Sequence, residues 1–324
     1  MFTSKDIQFR TIFVINCVKH RGLRVCNGEL LLEEGEEKEK KTLTKMPFQK
    51  ILALFIIGHI SITTPLIEKC KRYNVALIVF KPNLRPVFYW AESAEANFLL
   101  RQRQYLHDLS DLTIARALIE NKIANQKQVL LNSRRKDKLT MNAISTCDCC
   151  IDSMAHNNDY QSIMGLEGIA SKAYFAAYFQ DLGWKSRKPR TKIDPINVTL
   201  DIGYTILFNF LECFLRMYGF DLYIGVFHRL WFKRKSLVCD VMEPFRPIID
   251  RTVRKAFHRG QFKIKDFCLE KGEYRLKKEL SSDYYRVFVE ELISYKMDIF
   301  KYIQSYYRCF MRNSKASIYP VFNL

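Results

Sequence analysis

Near residue 92 the hydrophobic period of this 324-residue chain changes, and that change limits the folds open to it. Before it, apolar residues come in short runs bounded by turn residues, as in strands. After it they recur at spacings of three and four, as in helices. The expected class is α+β, with a β-rich N-terminal domain over residues 1–92 and a helical domain over residues 93–324. No catalytic grouping lies in the first ninety residues, so packing or dimerisation is the role expected there.

Within the first part, Asn27-Gly28 sits between extended runs in Leu23 to Leu32, a strong hairpin signal because both turn residues must accept positive φ. Glu33 to Lys41 is a charge run, expected as a solvated loop. Val75 to Phe80 reads as a buried strand, after which Pro82 and Pro86 break the pattern. Ile51 to Ile67 is the most apolar stretch, yet Gly58, His59 and Pro65 interrupt it and it falls short of the roughly 20 residues of a membrane helix. No membrane span is expected.

In the second part, Ser93 is placed to cap a helix carrying Phe98, Leu99, Gln102, Tyr105 and Leu106. Helical pattern runs to about Leu131, and Asn132 to Asn158 is polar enough to suggest a connecting loop. Further helices are expected from near Tyr160, from Pro195 to about Tyr218, and from Ser282 to about Met311. The last carries Tyr285, Phe288, Val289, Leu292, Ile299, Ile303, Tyr306 and Phe310 on one face. Core packing is the plain reading of that stripe, and base stacking by some of its aromatics is the competing one.

The formal net charge is +18, and the excess is clustered. Trp184 to Lys192 holds five Lys/Arg and no acid; His228 to Arg259 holds nine against three acids. Such clusters suit a polyanion, since each neutralised phosphate releases a counterion. The ten cysteines are scattered, and Met1 to Arg10 is mixed and charged rather than a secretory signal, so reduced thiols and a cytoplasmic location are expected. Cys147, Cys149 and Cys150 with His156 form a weak metal candidate, lacking a second paired-cysteine element.

Four residues stand out chemically. Glu167 shares a helical stripe with Ile163, Ala170 and Tyr174, so its carboxylate faces the core and needs a partner, either a metal ion or a basic side chain. Asp240 and Glu243 are three apart at an expected helix start, where they form either a capping box or a pair reaching one cation. His228 follows the apolar run Tyr223-Ile-Gly-Val-Phe and lies close to both acids. One histidine nitrogen and carboxylate oxygens are donors suited to Mg²⁺ or Mn²⁺.

The blocks Met164-Gly-Leu-Glu167-Gly-Ile-Ala, Asp194-Pro-Ile-Asn197 with Gly203-Tyr-Thr, Tyr223-Ile-Gly-Val-Phe-His228 and Ser236-Leu-Val-Cys-Asp240-Val-Met-Glu243-Pro-Phe-Arg-Pro247 resemble, in this order, the CRISPR-associated integrase family (CRISPR-associated protein one). With the N-terminal hairpin and the Lys50 to Phe80 run, the likeness covers nearly the whole chain. It implies that Glu167, His228 and Glu243 hold the divalent metal, with Asp240 as an accessory acid. It further implies a β-rich dimerisation domain, an all-α catalytic domain, and a homodimer that enters larger assemblies with a small CRISPR-associated bridging partner. Asp201 and Leu222 depart from common family residues, as does Pro244.

The implied activity is metal-dependent strand transfer, in which the 3′-hydroxyl of incoming double-stranded DNA attacks a phosphodiester of the CRISPR repeat, with associated endonuclease activity. Arg187, Lys188, Arg190 and Arg229 are expected to hold DNA phosphates. A branched-DNA nuclease, and a non-catalytic nucleic-acid-binding protein with structural acids, are the competing readings.

Overall fold

The computed structural model describes residues 8–17, 21–35, 40–91, 94, 96–155, 157 and 159–324. The chain divides into two compact units, residues 1–105 with 209–221 and 293–304, and residues 106–208 with 222–292 and 305–324.

The first unit holds two sheets. Strands β1 (Thr11–Cys17), β5 (Ile51–Gly58), β6 (Ala76–Phe80) and β7 (Pro86–Trp90) form one in that order, parallel across β1, β5 and β6 and antiparallel at β7. Strands β2 (Arg21–Cys26), β3 (Glu29–Glu34) and β4 (Lys41–Pro47) form an antiparallel meander. Asn27 (φ 49°) and Gly28 (φ 79°) make the tight turn between β2 and β3, as the dipeptide predicts. The apolar run from Ile51 is the central strand, with Ile51 to Ile57 all buried, and β6 beside it is the expected buried strand. Pro86 opens β7, an edge position where a missing N–H costs least.

The first ninety residues are not all strand. Helix α1 (Thr64–Arg72) has Pro65 in its first turn and buries Leu66 and Cys70, four apart on one face. Glu33, Glu34 and Lys41, expected in a loop, pair in strands, with Glu34 opposite Lys41; residues 36–39 of that run lie outside the described residues. Phe55 meets Phe80, Phe210 and Phe214 edge-on at 5.1, 6.0 and 5.6 Å.

The helices are α2 (Phe98–Leu106), α3 (Thr113–Leu131), α4 (Lys138–Ala155), α5 (Tyr160–Tyr178), α6 (Pro195–Tyr218), α7 (Ser236–Met242), α8 (Arg246–His258), α9 (Ser281–Ser294) and α10 (Lys296–Arg312). This is the α+β organisation the period change predicts. The cap expected at Ser93 lies outside the described residues. On α2, Phe98, Leu99, Tyr105 and Leu106 are exposed while Leu100 and Gln104 are buried, so the buried face is turned from the expected one.

The polar stretch after Asn132 is not a loop but α4. Its Ala143, Cys147, Cys150 and Met154 recur at helical spacing and are buried, and small polar residues fill the other faces. Cys147, Cys150 and Met154 pack with Ala115, Ile119 and Ile123 of α3 and with Ile163 and Ala170 of α5. Burial pushes the Cys147 thiol up to about 12, which makes it inert packing rather than a ready ligand. Cys149 is exposed, His156 lies outside the described residues, and all ten cysteines are free thiols.

Helix α6 is long and apolar enough to cross a membrane by length and composition, but 78% of its most apolar window is buried inside the structure, as in a core helix. The helix expected from Ser282 to Met311 is two helices, α9 and α10, broken at Tyr295. Of its stripe, Phe288, Val289, Leu292, Ile299, Ile303, Tyr306 and Phe310 are buried, which removes the base-stacking reading for these residues. The helical region also contains one short hairpin, β8 (Phe267–Glu270) with β9 (Glu273–Leu276), which the sequence reading did not include.

Candidate active site

Helices α3, α5, α7 and α8 bring the site together. Helix α7 ends at Met242, and Glu243, Pro244 and Phe245 make one 3₁₀ turn before α8 opens at Arg246, with Pro247 in its first turn. The two prolines break the helix where their missing N–H groups are tolerated. Asp240 therefore lies inside α7 and Glu243 just beyond it, not at a helix start. No capping box forms there: the N-cap is Lys235, without a side-chain cap.

Asp240 is fully spent on the loop before α7. Its Oδ2 accepts the backbone N–H groups of Val226 (2.6 Å) and Phe227 (3.0 Å), and its Oδ1 accepts the N–H of His228 (2.9 Å) and meets His228 Nδ1 at 2.5 Å. A carboxylate that accepts on every side requires Nδ1 to carry the proton, leaving the His228 Nε2 lone pair available. Close approach dictates Gly225: a Cβ there would stand 2.4 Å from Asp240 Oδ2 and 2.9 Å from Ser236 Cβ. Asp240 is thus a positioning residue for His228.

Glu167, on α5, and Glu243 meet over one cation that the sequence reading did not include, the ammonium of Lys122 on α3. Lys122 Nζ donates to Glu167 Oε1 and lies 2.7 Å from Glu243 Oε2. The second contact buries Glu243 Oε2 against the ammonium. Ser171 donates to Glu167 Oε1 (2.9 Å) and Arg246 Nε to Glu243 Oε1 (2.9 Å). Burial would raise the Glu243 carboxyl, but the Arg246 and Lys122 charges outweigh it and hold it at about 2. Burial would likewise lower Lys122, yet Glu243 and Glu167 raise it above its ordinary value. Glu243, Lys122 and Arg246 are therefore charged near neutral pH.

Arg246 is supported from below. Its guanidinium lies 4.8 Å from the centre of the Tyr204 ring, and that of Arg187 lies 5.3 Å from the same ring. Fully buried Asp250 accepts the Tyr204 hydroxyl and that of Tyr174 (3.1 Å). Burial lifts the Asp250 carboxyl to about 6, against the hydrogen bonds of the two tyrosines.

Glu167, His228, Glu243, Lys122 and Arg246 all line one open cleft of about 1440 Å³. Its rim is basic, with Lys185, Arg187, Arg190 and Lys192 on one segment and Lys233, Arg234 and Lys235 on another. Arg187 is anchored to Asn197 (2.9 Å) and Asp201 (2.5 Å), and Asp201 also accepts the Arg190 backbone N–H (3.0 Å). The departure at Asp201 therefore shapes the basic segment. Lys188 and Arg229 do not line the cleft, and Arg229 lies 4.8 Å over the Tyr160 ring.

Among the described residues no three His, Cys, Asp or Glu side chains converge as a ready-made cation site. The donors nevertheless fit a hard divalent ion. One histidine and two carboxylate side chains line the same cleft, and Glu243 Oε2 is a buried oxygen already matched to a cation, the Lys122 ammonium at 2.7 Å.

The family model for CRISPR associated protein Cas1 matches residues 19–290. The chain belongs to the Cas1 family. A CRISPR-associated endonuclease Cas1 of Thermodesulfovibrio yellowstonii is 28% identical over 256 residues, covering 75% of this chain and 80% of its own length. Another, from Chlorobaculum tepidum, is 29% identical over 273 residues, covering 77% of this chain and 79% of its own. Among solved structures, a chain of a partial Cas6-RT-Cas1–Cas2 complex has a TM-score of 0.82 at 21% identity, over 97% of this chain and 99% of that one. A casposase bound to integration product has a TM-score of 0.62 at 19% identity, over 96% and 94%. At these identities the two structures show that the Cas1 fold, strands followed by helices, is shared.

Proposed function

We propose that this Cas1 chain is a spacer-acquisition integrase that joins the 3′-hydroxyl of a short double-stranded DNA to a phosphodiester of a CRISPR repeat. The observation that carries the reading is that Glu167, His228 and Glu243 line one cleft with a basic rim, with His228 held through its Nδ1. In such a reaction the nucleophile comes with the substrate, so the protein has only to position DNA ends and neutralise charge. No Ser/His/Asp arrangement is needed.

Glu167, His228 and Glu243 would hold Mg²⁺ or Mn²⁺, which supplies Lewis acidity at the scissile phosphate and favours loss of the hydroxyl proton. Asp240 keeps the His228 proton on Nδ1 and its lone pair turned outward. Arg246 keeps Glu243 ionised, and Lys122 balances the carboxylates until a metal competes for them. The basic rim binds phosphates without reading sequence.

The Cas1–Cas2 complexes among the structural neighbours support assembly of this chain with a partner protein, and the casposase bound to integration product supports DNA as its ligand; a homodimer is the working unit proposed. The decisive experiment supplies end-labelled duplex and a supercoiled plasmid bearing the repeat array. Label joined to relaxed plasmid supports the integrase. Nicking without joined label replaces it with a nuclease of branched DNA, and binding without product replaces it with a non-catalytic binding protein.

A further inference from the structure

Beyond α10 and the 3₁₀ turn Ala316–Ile318, residues 319–324 run without helix or strand, yet Tyr319 and Phe322 are buried. Two asparagines of α3, four apart and so on one face, hold this segment. The Asn121 side-chain amide pairs with the Phe322 backbone as a neighbouring strand would. Its Nδ2 donates to the Phe322 carbonyl (2.8 Å) and its Oδ1 accepts the Phe322 N–H (2.9 Å). Asn125 uses its whole amide. Its Nδ2 donates to the same carbonyl (2.8 Å) and to the Pro244 carbonyl (3.0 Å), and its Oδ1 accepts the Leu324 N–H (3.2 Å).

Pro244 follows Glu243 in the 3₁₀ turn between α7 and α8, so Asn125 joins the segment to the turn that carries a candidate metal ligand. Phe245, the next residue, makes a second joint: its ring and that of Phe322 lie 4.6 Å apart, and both are buried. Apolar contact alone would let the segment slide. Amide pairing fixes its register to one residue, and a buried amide is costly unless it is paired in this way. Lys122, whose ammonium lies 2.7 Å from Glu243 Oε2, stands between the two asparagines in the α3 sequence. One stretch of α3 thus holds the Glu243 carboxylate by charge and the backbone behind it by hydrogen bonds.

We propose that residues 319–324 are a strap that positions Glu243, with Asn125 and Phe322 as its positioning residues. Neither the segment nor Asn125 lines the cleft, so the strap acts through Pro244 and Phe245, which set where the Glu243 backbone stands. This rests on the reading of Glu243 as a metal ligand, and adds to it the part that keeps the ligand in place when the Lys122 ammonium gives way to a divalent ion.

The test reads two quantities on the whole chain, well below its melting temperature: hydrogen–deuterium exchange over residues 236–246, and Mn²⁺ affinity from the electron paramagnetic resonance signal of the unbound ion. Asn125→Ala is expected to speed exchange over those residues while α9 stays at the wild-type rate, and to lower Mn²⁺ affinity by about tenfold or more. Phe322→Ala, which keeps every backbone bond of the strap, is expected to act in the same direction on both, and it decides alone where Asn125→Ala does not fold. Phe322→Leu keeps an apolar side chain against Phe245 and is expected to bind Mn²⁺ within about threefold of wild type. Wild-type exchange over residues 236–246, or faster exchange spread equally through α9, overturns the proposal. So does wild-type Mn²⁺ affinity in a variant whose turn exchanges faster, which would leave the strap a stabiliser only. Wild-type protein that binds no Mn²⁺ would overturn the metal reading of Glu243, a separate result, and the exchange rates would still decide whether the strap holds the turn.

Discussion

Asp240 is bonded twice to His228, accepting its backbone N–H at 2.9 Å and meeting its Nδ1 at 2.5 Å through the same oxygen. The imidazole is thereby fixed in tautomer and in direction by a buried carboxylate that does not itself line the cleft. Asp240→Asn turns an N–H₂ toward backbone donors or toward Nδ1, leaving buried groups unpaired at a cost of about 1–3 kcal/mol. The expected result is a lowered Tm and a loss of about 10–100-fold in metal affinity or joining rate, read by calorimetry and by the integration assay. Wild-type values for both would refute the positioning role.

Gly225 makes a related claim about space. A methyl group there would meet Asp240 Oδ2 at 2.4 Å and the Ser236 backbone carbon at 3.0 Å, and the four contacts on Asp240 leave it no freedom to retreat. Gly225→Ala is expected to destabilise by about 1–3 kcal/mol, as overpacking does. Urea denaturation checks it; a neutral substitution would mean the loop yields more easily than its hydrogen bonds suggest.

Lys122 is expected to compete with a divalent ion for Glu167 and Glu243. Removing one member of a buried ion pair costs about 3–5 kcal/mol, because the other charges stay behind. Lys122→Met should therefore melt well below wild type in chelator and gain more from Mn²⁺ than wild type does. Thermal scans with and without Mn²⁺ decide it. An equal Mn²⁺ gain in both proteins would show that the ammonium and the metal do not share these carboxylates.

Two buried acids give opposite pH dependences. Glu243 is held at about 2 against an ordinary 4.5, so its contribution is complete above pH 4.5 and is lost as pH falls toward 2. Asp250 is raised to about 6 from 3.8, so the stability it favours is present below pH 3.8 and is lost as pH rises to 6. That loss is roughly 3 kcal/mol at 1.36 kcal/mol per pH unit. Asp250→Asn should remove the decline between pH 4 and pH 6, as measured by urea unfolding at the two pH values. A decline that persists in the variant would assign it to other groups.

The fold class and much of the site were legible because both have local signatures. The period change marked where strands give way to helices, and the Asn27-Gly28 turn could be placed because it needs positive φ at both residues. Glu167 was placed on a core-facing stripe, and Ile163, Ala170 and Tyr174 of that stripe are indeed buried. What escaped was non-local. Lys122 pairs with groups 45 and 121 positions away, although its helix carried a warning in Asn121, Lys122, Asn125 and Gln126, a buried polar strip inside an apolar helix. Asn121 and Asn125 of that strip bind the backbone of Phe322. Helix α4 was missed for another reason: its buried face is made of Ala, Thr and Cys as much as large aliphatics, so composition concealed a regular spacing.

The central claim is that Glu167, His228 and Glu243 form the site at which DNA is joined. The most direct measurement compares wild type with Glu167→Ala, His228→Ala and Glu243→Ala in the joining of end-labelled duplex to a repeat-bearing plasmid, at matched Mn²⁺ and salt, with a chelator control. The account predicts that wild type joins label only when metal is present, and that each variant loses joining by at least about 100-fold while still binding DNA. Joining at the wild-type rate by Glu167→Ala, or joining by wild type that survives the chelator, would contradict it.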